Sequence, residues 1–192
     1  MSSNIEIEAK ILLKEEAFLK LLKFLNTNET KGVKQVNYYI DNSEQSLRKF
    51  GFGLRIRERN DVYTLTLKSP ITDGTLEKDQ TISKIIYFKF KNDLIFPEGI
   101  VKDTLLMFGF NVSTFHIITS LETIRINTEY EGGQLSLDFN SYNGQKDYEV
   151  ESEQSSIKAA EQTLKKLCEA VGLPFELNKI SKHARALKSL IS

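Results

Sequence analysis

Leu54-Arg55-Ile56-Arg57-Glu58-Arg59-Asn60-Asp61-Val62-Tyr63-Thr64-Leu65-Thr66-Leu67-Lys68 is the stretch that decides the fold. Apolar and polar residues alternate with period two on both sides of Arg59-Asn60-Asp61, which predicts strands over 53–60 and 62–69 joined by a tight hairpin. Leu54, Ile56, Tyr63, Leu65 and Leu67 fall on one face. Arg55, Arg57, Arg59, Thr64, Thr66 and Lys68 fall on the other, because successive side chains of a strand point to opposite sides.

The same alternation recurs along the chain. Ile5, Ile7, Ala9, Ile11 and Leu13 alternate with Glu6, Glu8 and Lys10, and further strands are predicted over 33–41, 76–83, 115–130, 134–139 and 147–153. Gly132-Gly133 and Asn143-Gly144 are turn signals between the last three. Helices are predicted over 14–26, over 155–171 closed by Gly172, and over 181–190; the region 84–109 reads as two helices separated by Pro97-Glu98-Gly99. The first helix carries Phe18, Leu21, Leu22 and Leu25 on one stripe, which needs an apolar sheet face to cover. The expected fold is α+β, a closed eight-stranded antiparallel β-barrel with flanking helices, in one domain spanning 1–192. An open sheet is the runner-up.

Composition narrows the functional classes. The chain has 192 residues with 26 Lys plus Arg against 26 Asp plus Glu, so no global charge draws it to nucleic acid or to an anionic membrane. No basic and apolar leader opens it, and no run approaches the roughly 20 apolar residues of a membrane span, which predicts a cytoplasmic location. The single Cys168 excludes an internal disulfide and sits on a helical apolar stripe, as a buried thiol would.

The polar faces carry the functional signal. Arg55, Arg57 and Lys68 lie on adjacent strands, and Arg125, Asp138, Glu149 and Glu151 continue the series on later ones. Signs are segregated by strand, whereas a face chosen for solubility mixes them. Glu-x-Glu occurs twice, at Glu6/Glu8 and Glu149/Glu151, placing paired carboxylates about 6 to 7 Å apart on one face. Such pairs repel unless a cation lies between them, and a hard divalent metal suits ligands that offer only oxygen. Neighbouring arginines offer planar forks that match phosphate. Carboxylates for metal and guanidiniums for phosphate belong to one kind of ligand, a metal-bound polyphosphate.

In this order the motifs resemble the CYTH, or triphosphate tunnel metalloenzyme, superfamily. Glu6-Ile7-Glu8-Ala9-Lys10 stands as its N-terminal Glu-x-Glu-x-Lys signature, followed by Leu54-Arg55-Ile56-Arg57, Thr64-Leu65-Thr66-Leu67-Lys68, Arg125, Leu137-Asp138, Asp147-Tyr148-Glu149-Val150-Glu151 and the late basic Lys182. The resemblance implies a triphosphate tunnel. In it Glu6, Glu8, Glu151 and Asp138 hold Mg2+ or Mn2+, while Lys10, Arg55, Arg57, Lys68, Arg125 and Lys182 contact phosphate oxygens. Glu149 and Lys10 are the catalytic candidates, and Glu77 is either a lumen acid or an exposed strand residue. The implied activity is metal-dependent hydrolysis of inorganic triphosphate, thiamine triphosphate or ATP, by a monomer or homodimer. Class IV adenylyl cyclase chemistry and a non-catalytic polyphosphate-binding or nucleotide-binding module are the alternatives.

Overall fold

The computed structural model describes residues 2–72 and 74–190. In chain order its strands and α-helices are β1 (Ser2–Glu6), β2 (Glu8–Leu13), α1 (Glu15–Phe24), β3 (Val33–Asp41), α2 (Ser46–Lys49), β4 (Gly53–Arg59), β5 (Val62–Ile71), β6 (Gly74–Ile82), α3 (Lys84–Asp93), α4 (Ile100–Met107), β7 (His116–Tyr130), β8 (Gly133–Tyr142), β9 (Gln145–Glu153), α5 (Ile157–Val171) and α6 (Lys182–Lys188). The chain is α+β with antiparallel strand pairing and flanking helices, as the alternation predicts. Nine strands stand where eight were expected, because the N-terminal strand is interrupted at Ile7 and so counts twice.

The chain divides into two compact units, residues 1–5 with 35–121 and residues 6–34 with 122–192. In the first the strands run in the order β1-β6-β5-β4-β3. The β4–β5 hairpin turns through Asn60 and Asp61, both left-handed with φ of 53° and 60°, the two-residue turn whose twist suits antiparallel strands. Register then lines up whole rows across the unit. Tyr38, Ile56 and Leu65 form one row and Ile40, Leu54 and Leu67 another, while Asn37, Arg57 and Thr64 form one polar row and Tyr39, Arg55, Thr66 and Asp79 the next. The apolar rows are covered by Tyr87 and Phe90 of α3 and by Val101 and Leu105 of α4, so the region 84–109 serves this core. Asp41, left without a role by its sequence, is fully buried and accepts hydrogen bonds from the backbone N–H groups of Leu47 at 3.0 Å and Arg48 at 3.1 Å, which caps the short α2.

The second unit orders its strands β7-β8-β9-β2. Ile126, Leu137, Val150 and Ile11 make one apolar row straight across it, each no more than 2% exposed. The neighbouring row is Arg125, Asp138, Glu149 and Leu12, and the row beyond Ile11 on the other side is Ser136, Glu151 and Lys10. Phe18, Leu21 and Leu22 of α1 and Ala160, Leu164, Leu167 and Cys168 of α5 bury the apolar face. The α5 helix begins at Ser156, whose hydroxyl accepts from Ala159 N–H at 3.2 Å, and ends at Gly172 with φ of 64°. Ile5 departs from the expected apolar face at 58% exposed, since the strand breaks at Ile7 and burial begins only at Ala9.

Candidate functional site

Polar faces differ between the two units. In the first, Arg55, Arg57, Arg59, Asn60, Val62, Thr64, Thr66, Glu77 and Asp79 line a cavity of about 290 Å³. Arg57 Nε donates to Asn37 Oδ1 at 2.9 Å, which orients its guanidinium. Thr66 donates to Asp79 Oδ1 at 2.6 Å. Glu77, undecided from sequence, is 7% exposed and lies 2.7 Å from Lys68 Nζ and 3.6 Å from Arg55 NH2. Arg55 Nε is buried without a hydrogen-bond partner. A buried donor of that kind costs about 1–3 kcal/mol until something accepts from it.

In the second unit the carboxylates converge. Asp138, Glu149 and Glu151 are all buried and bring one oxygen each within 4.8 Å of the others. Lys182, at the start of α6, hydrogen-bonds to Glu149 and lies 2.8 Å from Asp138 Oδ2 and 2.5 Å from Glu151 Oε1. Its ammonium therefore lies against all three carboxylates of the cluster. Arg125 closes the far side with a bidentate grip on Asp138, at 2.7 and 2.6 Å, and reaches Glu151 Oε2 at 2.5 Å. Lys10 pairs with Glu8 at 2.5 Å and stands 3.9 Å from Glu151.

Protonation follows from these contacts. Burial pushes the Glu149 carboxyl up to about 7, against the opposing pull of Lys182 and Arg185 and with help from the charge of Glu151. Burial also acts on Glu151, but Lys182, Arg125 and Lys10 outweigh it and hold that carboxyl well below its usual range. Lys10, Lys182 and Arg125 all have their pKa raised, because the surrounding carboxylates overcome a burial that would lower it. Two carboxylates two residues apart are thus driven in opposite directions, an arrangement suited to acid–base chemistry.

The donor set fits a hard divalent cation, being oxygen only, buried and anionic. Ligands about 2.1 Å from one Mg2+ lie within about 4.2 Å of each other, so the triad needs a small adjustment and the withdrawal of Lys182 to grip an ion directly. Of the expected metal ligands, Asp138 and Glu151 belong to this triad. Glu149 joins them, whereas Glu6, ending β1, and Glu8, paired with Lys10, are not members. Of the expected phosphate contacts, Lys10, Arg125 and Lys182 surround the triad. Arg55 and Arg57 line the first unit's cavity, with Lys68 held against Glu77.

Residues 4–185 match the family described as the CYTH domain. The chain belongs to the CYTH family. Over 177 residues, 91% of this chain and 90% of that protein, it is 34% identical to YjbK of Bacillus subtilis (strain 168), which is named as a candidate triphosphatase. A solved structure from Bacillus halodurans, described as a candidate adenylate cyclase, superposes with a TM-score of 0.90 at 34% identity, covering 96% of this chain and 98% of that one. HpAC1 from Hippeastrum, described as a candidate adenylyl cyclase with a dominant triphosphatase activity, gives a TM-score of 0.78 at 24% identity over 96% of this chain and 95% of that one, a likeness of fold. This CYTH chain also holds polar groups that sequence reading left out. Arg185 reaches Asp147 and Glu149, Asn178 donates to Glu149 Oε2 at 3.2 Å, and Asp79 lies in the arginine cavity. Spacing could have found two of them: Arg185 lies one helical turn from Lys182, and Asp79 lies two residues from Glu77 on the same strand face. Among the described residues no helix is long and apolar enough to cross a membrane.

Proposed function

We propose that this chain hydrolyses a triphosphate, inorganic or carried by a small organic group, in a reaction that depends on Mg2+ or Mn2+. The observation that carries the proposal is the buried triad of Asp138, Glu149 and Glu151 ringed by Lys182, Arg125 and Lys10, in a CYTH chain 34% identical over nearly its whole length to a protein named as a candidate triphosphatase. The cytoplasmic location read from the sequence belongs to the same proposal.

In this reading Glu151 and Asp138, with Glu6 and Glu8, hold the metal. When bound there, such an ion would supply positive charge to phosphate oxygens and lower the pKa of nearby water. Phosphoryl transfer asks mainly for positioning and charge stabilisation, so the protein's part falls to its cations. Within the first unit Arg55, Arg57 and Lys68 are that unit's own candidate phosphate contacts, Arg55 through a guanidinium whose buried Nε has no partner to give up. Lys10, Arg125 and Lys182 neutralise charge on the terminal phosphoryl group as it passes to water. Glu149, with its carboxyl pushed up to about 7, takes the proton of the attacking water as the oxygen bonds to the terminal phosphorus and the bond to the diphosphate oxygen breaks.

A second reading is favoured by the adenylate cyclase description of the Bacillus halodurans structure: the ribose 3′-oxygen of ATP attacks the α-phosphorus and diphosphate leaves. One assay separates the two. Inorganic triphosphate, thiamine triphosphate and ATP are incubated with Mg2+ or Mn2+, or with EDTA, and phosphate, diphosphate and cyclic AMP are scored. Phosphate release that EDTA abolishes supports hydrolysis, cyclic AMP with diphosphate supports the cyclase, and no product in any tube overturns both.

A further inference from the structure

We propose that Arg185 is a positioning residue for Glu149, an assignment that rests on the hydrolytic reading and adds to it a residue acting through the proton acceptor. Lys182 and Arg185 lie three positions apart on α6 and so share one helical face. They grip opposite oxygens of one carboxylate, with Asn178 donating to Oε2 as well. Lys182 takes Oε1 of Glu149, and Arg185 NH1 donates to Oε2 at 2.7 Å, on a side chain with no solvent exposure.

What distinguishes Arg185 from a second counter-charge is its planar fork. Its Nε donates to Asp147 Oδ2 at 2.8 Å and its NH2 to Asp147 Oδ1 at 3.2 Å. With those two bonds made, the guanidinium plane is fixed, and with it the direction in which NH1 points. Asp147 is immobilised in turn, accepting from Asn140 Nδ2 at 2.8 Å and from Tyr142 Oη at 2.7 Å. The chain of contacts runs from the sheet through Asp147 and Arg185 to one oxygen of Glu149, each link buried or nearly so. A carboxylate held by the flexible Lys182 stem and by the neutral amide of Asn178 at 3.2 Å could follow that ammonium; held also by the charged fork, it keeps its orientation. A residue that merely fastens α6 to the sheet needs the Asp147 contact but not the contact to Glu149.

The test is a double-mutant cycle on inorganic triphosphate turnover with Mn2+, with thermal unfolding of every variant as the check on folding. Arg185→Ala is expected to lower kcat on the order of 10- to 100-fold with KM little changed, the usual loss when a group that orients a ligand or catalytic residue is removed. Arg185→Lys, which keeps the charge but not the fork, recovers part of that loss. In the Glu149→Gln background Arg185→Ala changes kcat less than about twofold, because the residue it acts through is gone. An equal fold-loss in both backgrounds, or a loss confined to KM, overturns the assignment; if Arg185→Ala does not fold, Arg185→Lys completes the same cycle. Should the wild-type protein turn over no triphosphate, the hydrolytic reading falls, and the positioning claim is then decided by carboxyl 13C NMR of Glu149. A Glu149 signal that moves in Arg185→Lys supports the claim, and one that stays put overturns it.

Discussion

The two units present the same strand rows with opposite electrostatic economy. In the first, Arg55 Nε is buried without a partner beside a cavity of about 290 Å³. In the second, each carboxylate of the triad already has a cation against it, Lys182 touching all three and Arg125 two. Identical alternation therefore yields one surface ready to receive an anion and another whose anions are neutralised from within the chain. The difference lies in what answers each strand from elsewhere in sequence. α6 delivers Lys182 and Arg185 to the second unit's polar face, whereas in the first unit Arg57 meets the neutral Asn37 and Arg55 lies 3.6 Å from Glu77.

That contrast can be broken by charge removal, beginning with the largest effect. Glu151→Gln is expected to lower kcat with Mn2+ on the order of 100-fold or more, as loss of a group that organises charge in a buried site does; a loss under about tenfold would show that the triad is not where the chemistry is organised. Arg125→Met leaves Asp138 and Glu151 buried with one cation fewer and should destabilise the fold by about 3 kcal/mol, a fall of about 6–12 °C in Tm, read by calorimetry. Arg57→Met is the counterpart in the first unit. It should cost about 1 kcal/mol of stability, since its side chain is half-buried and the buried group that loses a donor, Asn37 Oδ1, is neutral, while raising KM for triphosphate about tenfold through the lost phosphate contact. Similar unfolding curves for the two arginine variants would erase the distinction between the units.

The mildest effect concerns pH in the metal-free protein. Because the folded state holds the Glu149 proton more tightly than the ordinary carboxyl value of 4.5, that group's contribution is fully present below pH 4.5 and is lost as pH rises through about 7. Urea unfolding between pH 5 and 8 should therefore show wild-type stability declining and Glu149→Gln declining less; parallel profiles would mean that the raised carboxyl lies elsewhere.

Much of this was legible from alternation, and the limits of that legibility have physical causes. Period-two patterning assigns a residue to a face, so the rows through Arg55, Arg57, Asp138, Glu149 and Glu151 were open to reading, as was the Asn60-Asp61 turn. Alternation does not say which partner chain segment meets a face. Arg185 is one turn from Lys182, yet its acids lie 38 and 36 positions away, and nothing local announces that pairing. Glu77 could not be placed because strand patterning does not distinguish a wet face from a lined cavity. The α2 turn escaped because it is four residues long, starts after Gln45 at φ of 55°, and is stabilised by Asp41 from the preceding strand. Nor does the signature Glu-x-Glu-x-Lys reveal that Lys10 turns back onto Glu8.

The position of Lys182 has a consequence for how the acidic cluster behaves in solution. An ion that belongs to the same chain as its ligands does not dilute away, and a tether of this kind sets a local concentration on the order of millimolar or higher. Any cation arriving from outside is therefore admitted by exchange, displacing a resident that remains close by and returns when the visitor leaves.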